Sequence, residues 1–570
     1  MPAHWAHYGP DYIVFWIQLF IAFGAFVAFA LAPSFGEVLF RPLERFFRTL
    51  SSKKTAAFWI LFLATMITRL ALLPAISPPR PDCHDEHSYV LMGEMFASGH
   101  LSYPPHPLWK SFETFNENFY PTYSSIFPPA QGAVLAFGDL LGHPWIGVLL
   151  SVATMSAATF WMLQAYMPPQ WAFLGAVMAF CNLGIVSYWM NSYWGGAVAA
   201  IGGAIVLGSI PRIFRTQKIR YSILLGLGVA ILANSRPYEG LLFCIPVAGA
   251  LLVWLFKKSS PPWRTNLIKV VLPVTVILCL NAAFMGYYNW RTTGDPLLMP
   301  HDLNLRIYFR TPLFIWQHAR PPIHYNNQQY ENYFNGWVRS LYDGSRHALV
   351  RVCLEKMHAL TAVFLWPGAL AAMFTMPLVF RDRRVRLLLL ALLFCLAGIF
   401  CVVYSMPHYA APLTCVIYGL LVQSVRHLRT LRAGSKPIGL GLARAVVVLL
   451  IANTGLNIFH LARDPAHPYL GSWNRGDSTP VAFVERLERM PGQQLIMVRY
   501  RPTHNFQGEW VYNHADIDAS HIVWARELDA GQNAKLFAYY KNRQVWLFEP
   551  DRDWRTVSPY PAATLAAQRP

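Results

Sequence analysis

Apolar runs of about twenty residues, the length a helix needs to cross a bilayer core, recur along most of the chain between short polar stretches. The pattern predicts spans at 11–33, 57–77, 144–166, 170–187, 194–211, 221–234, 238–256, 267–288, 359–380, 387–404, 409–425 and 442–461. A weaker run at 129–141 is short for a crossing and reads as re-entrant or juxtamembrane. The first run has no basic segment before it and no clear cleavage site after it, so it reads as a retained anchor. After Asp464-Pro465 the pattern changes. Ala482–Met490 and Ala534–Tyr540 carry helical periodicity, while Gln494–Tyr500, His521–Arg526 and Gln544–Glu549 read as strands. Strands alternating with helices predict a small α/β domain with a parallel sheet. The expected fold class is mainly α: a polytopic transmembrane helix bundle of about 12–13 spans with a small C-terminal α/β extramembrane domain. The expected boundaries are 1–56 for an extra anchor and a basic loop, 57–464 for the bundle, and 465–570 for the soluble domain.

Composition agrees with this pattern. The chain is 55% hydrophobic and only 13% charged, against about a quarter charged in ordinary globular domains. The net charge of +18 would suit a nucleic-acid binder, but its distribution does not. Basic residues gather in short inter-span loops: Arg41, Arg45, Arg48, Lys53 and Lys54; Arg212, Arg215, Lys218 and Arg220; Lys257, Lys258 and Arg264. Two further groups are Arg381, Arg383, Arg384 and Arg386, and Arg426, Arg429, Arg432 and Lys436. This positive-inside pattern marks those loops as cytoplasmic, and no nucleic acid is expected as a partner. The N-terminus, the loops 78–128 and 289–358, and the C-terminal domain then lie outside. Six of the eight cysteines fall in spans, where they pack as small hydrophobes. Cys83 and Cys353 fall in outer loops, where a disulfide is open to them in an oxidising compartment.

The outer first loop carries Asp82-Cys83-His84-Asp85-Glu86-His87-Ser88-Tyr89. Adjacent carboxylates beside a span are of the type that a transferase uses as a general base; the plainer reading is a pair of solvated loop acids. Company on the same face favours chemistry. The loop continues through Tyr103-Pro104-Pro105-His106-Pro107-Leu108-Trp109-Lys110, a stiff stretch rich in interface-seeking aromatics. Other outer junctions carry Tyr193 and Trp194, Arg236 and Glu239, Arg291, and His408 and Tyr409. Aromatic-belt anchoring accounts for most tyrosines and tryptophans. It accounts less well for Arg236, since a guanidinium in a tight outer turn suits a phosphate. Arg69, mid-span, reads as a structural arginine.

An outer first loop with Asp-Glu-x-x-Tyr, here Asp85-Glu86-His87-Ser88-Tyr89, resembles that of the polytopic GT-C-type glycosyltransferases. These include the protein O-mannosyltransferases and the bacterial aminoarabinose transferases of lipid A. Phe127-Pro128-Pro129 and the run 142–166 are similar to the segment that follows that loop. Pro407-His408-Tyr409-Ala410-Ala411-Pro412-Leu413 is similar to the group's Arg-Tyr-x-x-Pro element. The resemblance covers residues 57–425. It departs in the added anchor 11–33, in Phe127 where aminoarabinose transferases often have lysine, and in His408 where arginine is usual. It implies a GT-C-like bundle in a bacterial inner membrane with the C-terminal domain periplasmic. It also implies a polyprenyl-phosphate sugar donor drawn from the bilayer and an acceptor that is protein, lipid or glycan.

The chemistry suits the residues. A phosphate leaving group needs cationic stabilisation rather than the protonating acid of a glycosidase, so one carboxylate suffices as base on the acceptor hydroxyl. Asp85 is the expected base, with Glu86 orienting or binding a divalent ion. The expected substrate contacts are Tyr89, His106, Lys110, Tyr193, Trp194, Arg236, Glu239, Arg291, His408 and Tyr409. A divalent metal ion is the one cofactor left open, because Asp85, Glu86 and His84 or His87 are ligand types at a spacing that dictates no geometry. The alternatives are a transporter or flippase of a lipid-linked glycan, which would place ionisable residues near mid-membrane, and a non-catalytic partner of a glycan polymerase.

Overall fold

A computed structural model describes residues 12–341, 344–463 and 479–561. Among these, eight helices are long and apolar enough to cross a membrane: Lys54–Ala71, Pro144–Leu163, Gly196–Thr216, Pro237–Leu255, Trp263–Thr293, Arg383–Cys401, Pro407–Leu428 and Ile438–Arg463. Two shorter apolar helices are Trp16–Leu31 and Ile219–Ala233. Large apolar side chains such as Phe20, Leu241, Val253 and Phe256 point outward, an arrangement that hydrocarbon tolerates and water does not. The protein is a multi-pass membrane protein, mainly α-helical, with a small C-terminal sheet.

Several expected spans differ. The run 170–187 yields only the fifteen-residue helix Pro169–Leu183. The run 359–380 is divided among the end of Arg346–Phe364, a 3₁₀ turn at Pro367–Ala369, and the short helices Leu370–Met373 and Met376–Arg381. Pro367 and Pro377 lack the N–H that a continuous helix requires. The run 129–141 forms a twelve-residue helix, Pro129–Leu140. The basic stretch expected as a loop is mostly the helix Glu37–Ser52. It exposes Val38, Leu39, Leu43, Phe46 and Phe47 along with its arginines, as helices lying in a bilayer interface do. The expected boundary at 464/465 lies outside the described residues.

The chain divides into two compact units. The first holds the described parts of Met1–Pro78, Val148–Ala283 and Cys353–Asn474. Here Gly203 lets the Gly196–Thr216 helix approach the Pro407–Leu413 turn: a Cβ there would meet the Pro412 carbonyl oxygen at 2.3 Å. The second holds Pro79–Gly147, Phe284–Val352 and Arg475–Pro570 as far as they are described. Its small hairpin pairs β1 (Glu117–Asn118) with β2 (Ser124–Ser125), antiparallel. Its larger sheet has β3 (Gln494–Val498) at the centre, parallel to β4 (Ile522–Arg526) on one side and β5 (Gln544–Phe548) on the other; β6 (Ser558–Pro559) adds antiparallel to β5.

Alternation along the strands gives that sheet two apolar faces. Ile496, Val498, Ile522 and Trp524 pack with Phe483 and Leu487 of the Thr479–Glu488 helix. Leu495, Met497, Val523 and Ala525 pack with Leu536 and Phe537, and also with Leu91, Met95, Phe112, Phe119 and Tyr123 of the 78–128 segment. The C-terminal sheet therefore has part of its core supplied by residues about four hundred positions earlier in the chain. That packing fixes the segment carrying the acidic motif.

Candidate active site

Asp85 and Glu86 lie in the first turn of a helix, His84–Ala97, and not in a loop as expected. Acids in a first turn are stabilised by the positive end of the helix dipole. Cys83 precedes the helix in extended conformation. The Glu86 carboxylate turns back and accepts from the Asp82 backbone N–H at 3.0 Å, as a capping carboxylate does. Its side chain is fully buried.

Asp85 is only partly buried. Its Oδ1 accepts a hydrogen bond from the Asn116 side-chain amide. Asn116 stands just before β1 with φ +58°, a left-handed conformation that asparagine tolerates better than most residues. Its carbonyl accepts from Ser88 Oγ at 2.5 Å, and that hydroxyl lies 2.7 Å from Ser125 Oγ on β2. The hairpin thus aims one amide at one carboxylate oxygen. Asn116 was not among the sequence candidates. The available signal was an asparagine with turn propensity inside Phe115-Asn116-Glu117-Asn118, and nothing in it pointed to Asp85.

The C-terminal domain grips the same helix end. Tyr512 Oη lies 2.5 Å from His84 Nδ1. The Tyr512 ring stacks on His87 at 3.8 Å between centroids with the planes 1° apart. Burial and the neighbouring His84 hold His87 far down, at about 3, against a weaker upward pull from Glu509. The imidazole is accordingly neutral at physiological pH. Two further acids, Glu113 and Glu117, are buried nearby in the chain. Burial raises both above the ordinary carboxyl range. Glu113 is held by Tyr308 Oη at 2.8 Å and Asn326 Nδ2 at 3.1 Å. Glu117 interacts with Tyr123, and its Oε2 has no hydrogen-bond partner. Behind them Arg526 and Glu509 form a buried ion pair at 2.5 Å. Burial pushes Glu509 up, but Arg526, Tyr500 and the Val511 N–H outweigh it and hold the carboxyl below its usual range. Arg526 also donates to Gln329 Oε1 at 3.0 Å, tying the 289–341 segment to β4.

The remaining candidates fall into two sets, one in each unit. In the second unit, Tyr89 is buried and stacks on Phe127 at 4.2 Å. His106 Nδ1 accepts the Leu108 N–H at 2.9 Å, so Nε2 carries the proton toward Asp518 at 3.3 Å and Tyr540 Oη at 3.3 Å. Burial lowers its basicity more than Asp518 raises it. This imidazole joins the 78–128 segment to the C-terminal domain. Lys110 and Arg291 are exposed, with Arg291 Nη1 at 3.4 Å from Tyr287 Oη. In the first unit, Arg236 lies over the Tyr409 ring at 4.4 Å. His408 packs between Tyr409 at 5.1 Å and Trp194 at 4.6 Å, and its Nδ1 is 3.2 Å from Tyr188 Oη. Tyr193 and Glu239 are buried in the same unit, Glu239 in the first turn of Pro237–Leu255.

Among the described residues no three His, Cys, Asp or Glu side chains come together as a metal site. The ligand set left open by the sequence is divided: His84 faces Tyr512, His87 is stacked, and Glu86 turns back on its own helix. These residues do not fit a divalent ion as they stand. Cys83 and Cys353 are free thiols.

No family model matches the chain, and no curated protein matches it. Among solved structures it is similar to the oligosaccharyltransferase of Archaeoglobus fulgidus crystallised with Zn and sulfate. The identity is 12% and the TM-score 0.44, over 86% of this chain and 67% of that one. It is similar as well to ArnT from Cupriavidus metallidurans in the apo state, with 14% identity and TM-score 0.48 over 88% of this chain and 97% of that one. The same protein bound to undecaprenyl phosphate gives TM-score 0.48 at 14% identity, over 87% and 97%. These neighbours are GT-C-type membrane glycosyltransferases, the group that the Asp85-Glu86 motif resembles.

Proposed function

We propose that this protein is a membrane glycosyltransferase that moves a sugar from a polyprenyl-phosphate donor to an acceptor hydroxyl at the outer membrane face. The observation that supports it most is Asp85 itself. One carboxylate in the second unit is partly open, while its neighbour Glu86 is buried and turned back into its own helix cap. An amide from a hairpin-anchored asparagine in the left-handed region orients it. A base needs that combination of access and fixed direction.

In the reaction, Asp85 takes the proton of the acceptor hydroxyl. The hydroxyl oxygen bonds to the anomeric carbon, and the bond from that carbon to the phosphate oxygen breaks. The polyprenyl phosphate departs with the electron pair. It leaves as a stable anion and needs cations, not a proton donor. Lysine and arginine side chains are of the type that binds a phosphate, and Lys110 and Arg291 are exposed cations in the same unit as Asp85. Asn116 and Glu86 position the base and its helix.

The test uses purified full-length protein with a labelled polyprenyl-phosphate sugar. The expected result is release of polyprenyl phosphate and labelling of an acceptor. Asp85→Asn should lower transfer by about 10²–10⁴-fold while leaving folding intact. Transport of an intact lipid-linked sugar without release of polyprenyl phosphate, or near-normal transfer by Asp85→Asn, would overturn the reading.

A further inference from the structure

A polar cavity lies in the second unit. It is a cleft of ≈ 530 Å³ at the C-terminal ends of β3 and β4, the end of a parallel sheet where ligands usually sit. Three stretches of chain converge on it: Lys110 from the 78–128 segment, 326–329 from the 289–341 segment, and the strand ends with the start of the Ala530–Tyr539 helix. Its size falls within the range of small-molecule sites.

The lining is rich in side-chain amides: Asn326, Asn327, Gln328 and Gln329 in one run, with Gln532 opposite them in the chain order. An amide offers donors and an acceptor, and a hydroxyl offers one donor and two acceptor lone pairs, so the two kinds of group match. Its charges are largely spent in pairs. Arg499 grips Glu527 with Nε and Nη2. Arg526 is paired with Glu509. Asp529 caps its helix by accepting from the N–H groups of Gly531 and Gln532. Among the described residues the Lys110 ammonium and the Gln532 side-chain amide make no hydrogen bond or ion pair. An anionic ligand would meet one unspent cation beside two carboxylates. An apolar peptide would find little beyond Val498, Pro502 and Leu528. Asn326 and Asn327 donate to Glu113, Gln328 donates to Asn332 and Gln329 accepts from Arg526, so a neutral polyol would meet Asn326 Oδ1, Gln328 Oε1, Gln329 Nε2 and the Gln532 amide as the remaining acceptors and donors.

We infer that this cleft binds a neutral carbohydrate, the glycan part of the acceptor. This rests on the transferase reading for its biological sense, but it is tested apart from it. Purified full-length protein is kept in a detergent without a sugar headgroup. Neutral trisaccharides of glucose, galactose, mannose and N-acetylglucosamine are titrated by saturation-transfer NMR, with sulfated glucose trisaccharide as the anionic counterpart. At least one neutral trisaccharide should bind saturably and more tightly than the sulfated one. Gln328→Ala/Gln532→Ala should weaken it by about tenfold or more, a difference of one decade in affinity, with thermal unfolding unchanged. Failure of every neutral sugar to bind, preference for the sulfated one, or binding undiminished in the double variant would overturn the inference. Asp85→Asn should bind the same sugar as the parent. If Asp85→Asn still transfers while sugar binding holds, the base assignment fails and the cleft stands; if it loses transfer but no sugar binds, the cleft fails and the base stands.

Discussion

The two units handle buried charge in opposite ways. In the first, buried or half-buried cations turn to backbone carbonyls. Arg69 donates to the carbonyls of Ile76 and Ser77 and to the Asn191 amide oxygen. Lys356 donates to Ile399 and Val402, Arg212 to Gly208 and Trp161, and Arg215 to Ala165. Exceptions among the described residues include Glu44, paired with Arg429 and Arg444, and Arg426, which donates to the Gln423 amide oxygen. In the second unit the buried groups are mostly acids, held by tyrosines, asparagines and one arginine. Apart from the mid-helix Gly208, the carbonyls these cations meet lie at or just beyond helix ends, where the helix leaves them unpaired. The acids of the second are positioned groups in a polar network, where each loss leaves a charge or a lone pair unmatched.

This difference predicts a ranking of substitutions. Arg526→Met leaves Glu509 buried without its cation. It should cost about 3–5 kcal/mol, the usual penalty for breaking a buried pair, in denaturant unfolding of the purified protein. Arg69→Met removes the donor to the Ile76 and Ser77 carbonyls and the Asn191 amide oxygen and should cost about 1–3 kcal/mol. If Arg69→Met proves the more damaging, the contrast between the units is wrong. Tyr512→Phe keeps the stack on His87 and loses the contact with His84. It should cost about 1 kcal/mol in stability and lower turnover with little change in donor KM; an unchanged turnover would remove the C-terminal domain from positioning Asp85.

The smallest effect sharpens the comparison through pH. Glu117 has its carboxyl raised well above the ordinary 4.5 by burial. The folded chain therefore keeps a proton that the unfolded chain releases above about pH 4.5. Its contribution is fully present below that pH and is lost as pH rises toward the folded value. Glu117→Gln should remove this loss, so the variant's stability relative to the parent should grow from pH 4 to pH 8. A constant difference across that range would show that the acid does not titrate between the folded and unfolded states as its burial implies.

Much of the architecture could be read along the chain. The apolar runs give most of the helices within a few residues, because hydrocarbon length and backbone satisfaction leave little choice. The three main strands and two helices of the C-terminal domain follow from period alone. The run at 359–380 misled, since its mean apolarity concealed two proline breaks. The motif at 82–89 was visible as chemistry but not as a helix start, because Cys83 is an atypical cap and the acids read as loop residues.

What the sequence determined by itself is the membrane character, the alternating C-terminal elements and the identity of the acid to suspect. Which acid is open and which is buried was decided only in three dimensions. Asn116, Ser88 and Ser125 meet through a hairpin register, and Tyr512 reaches His84 and His87 across more than four hundred residues. Periodicity reports the face a residue takes within its own element. It carries no information on which distant side chain will complete a hydrogen bond, because that depends on how separate segments share one core.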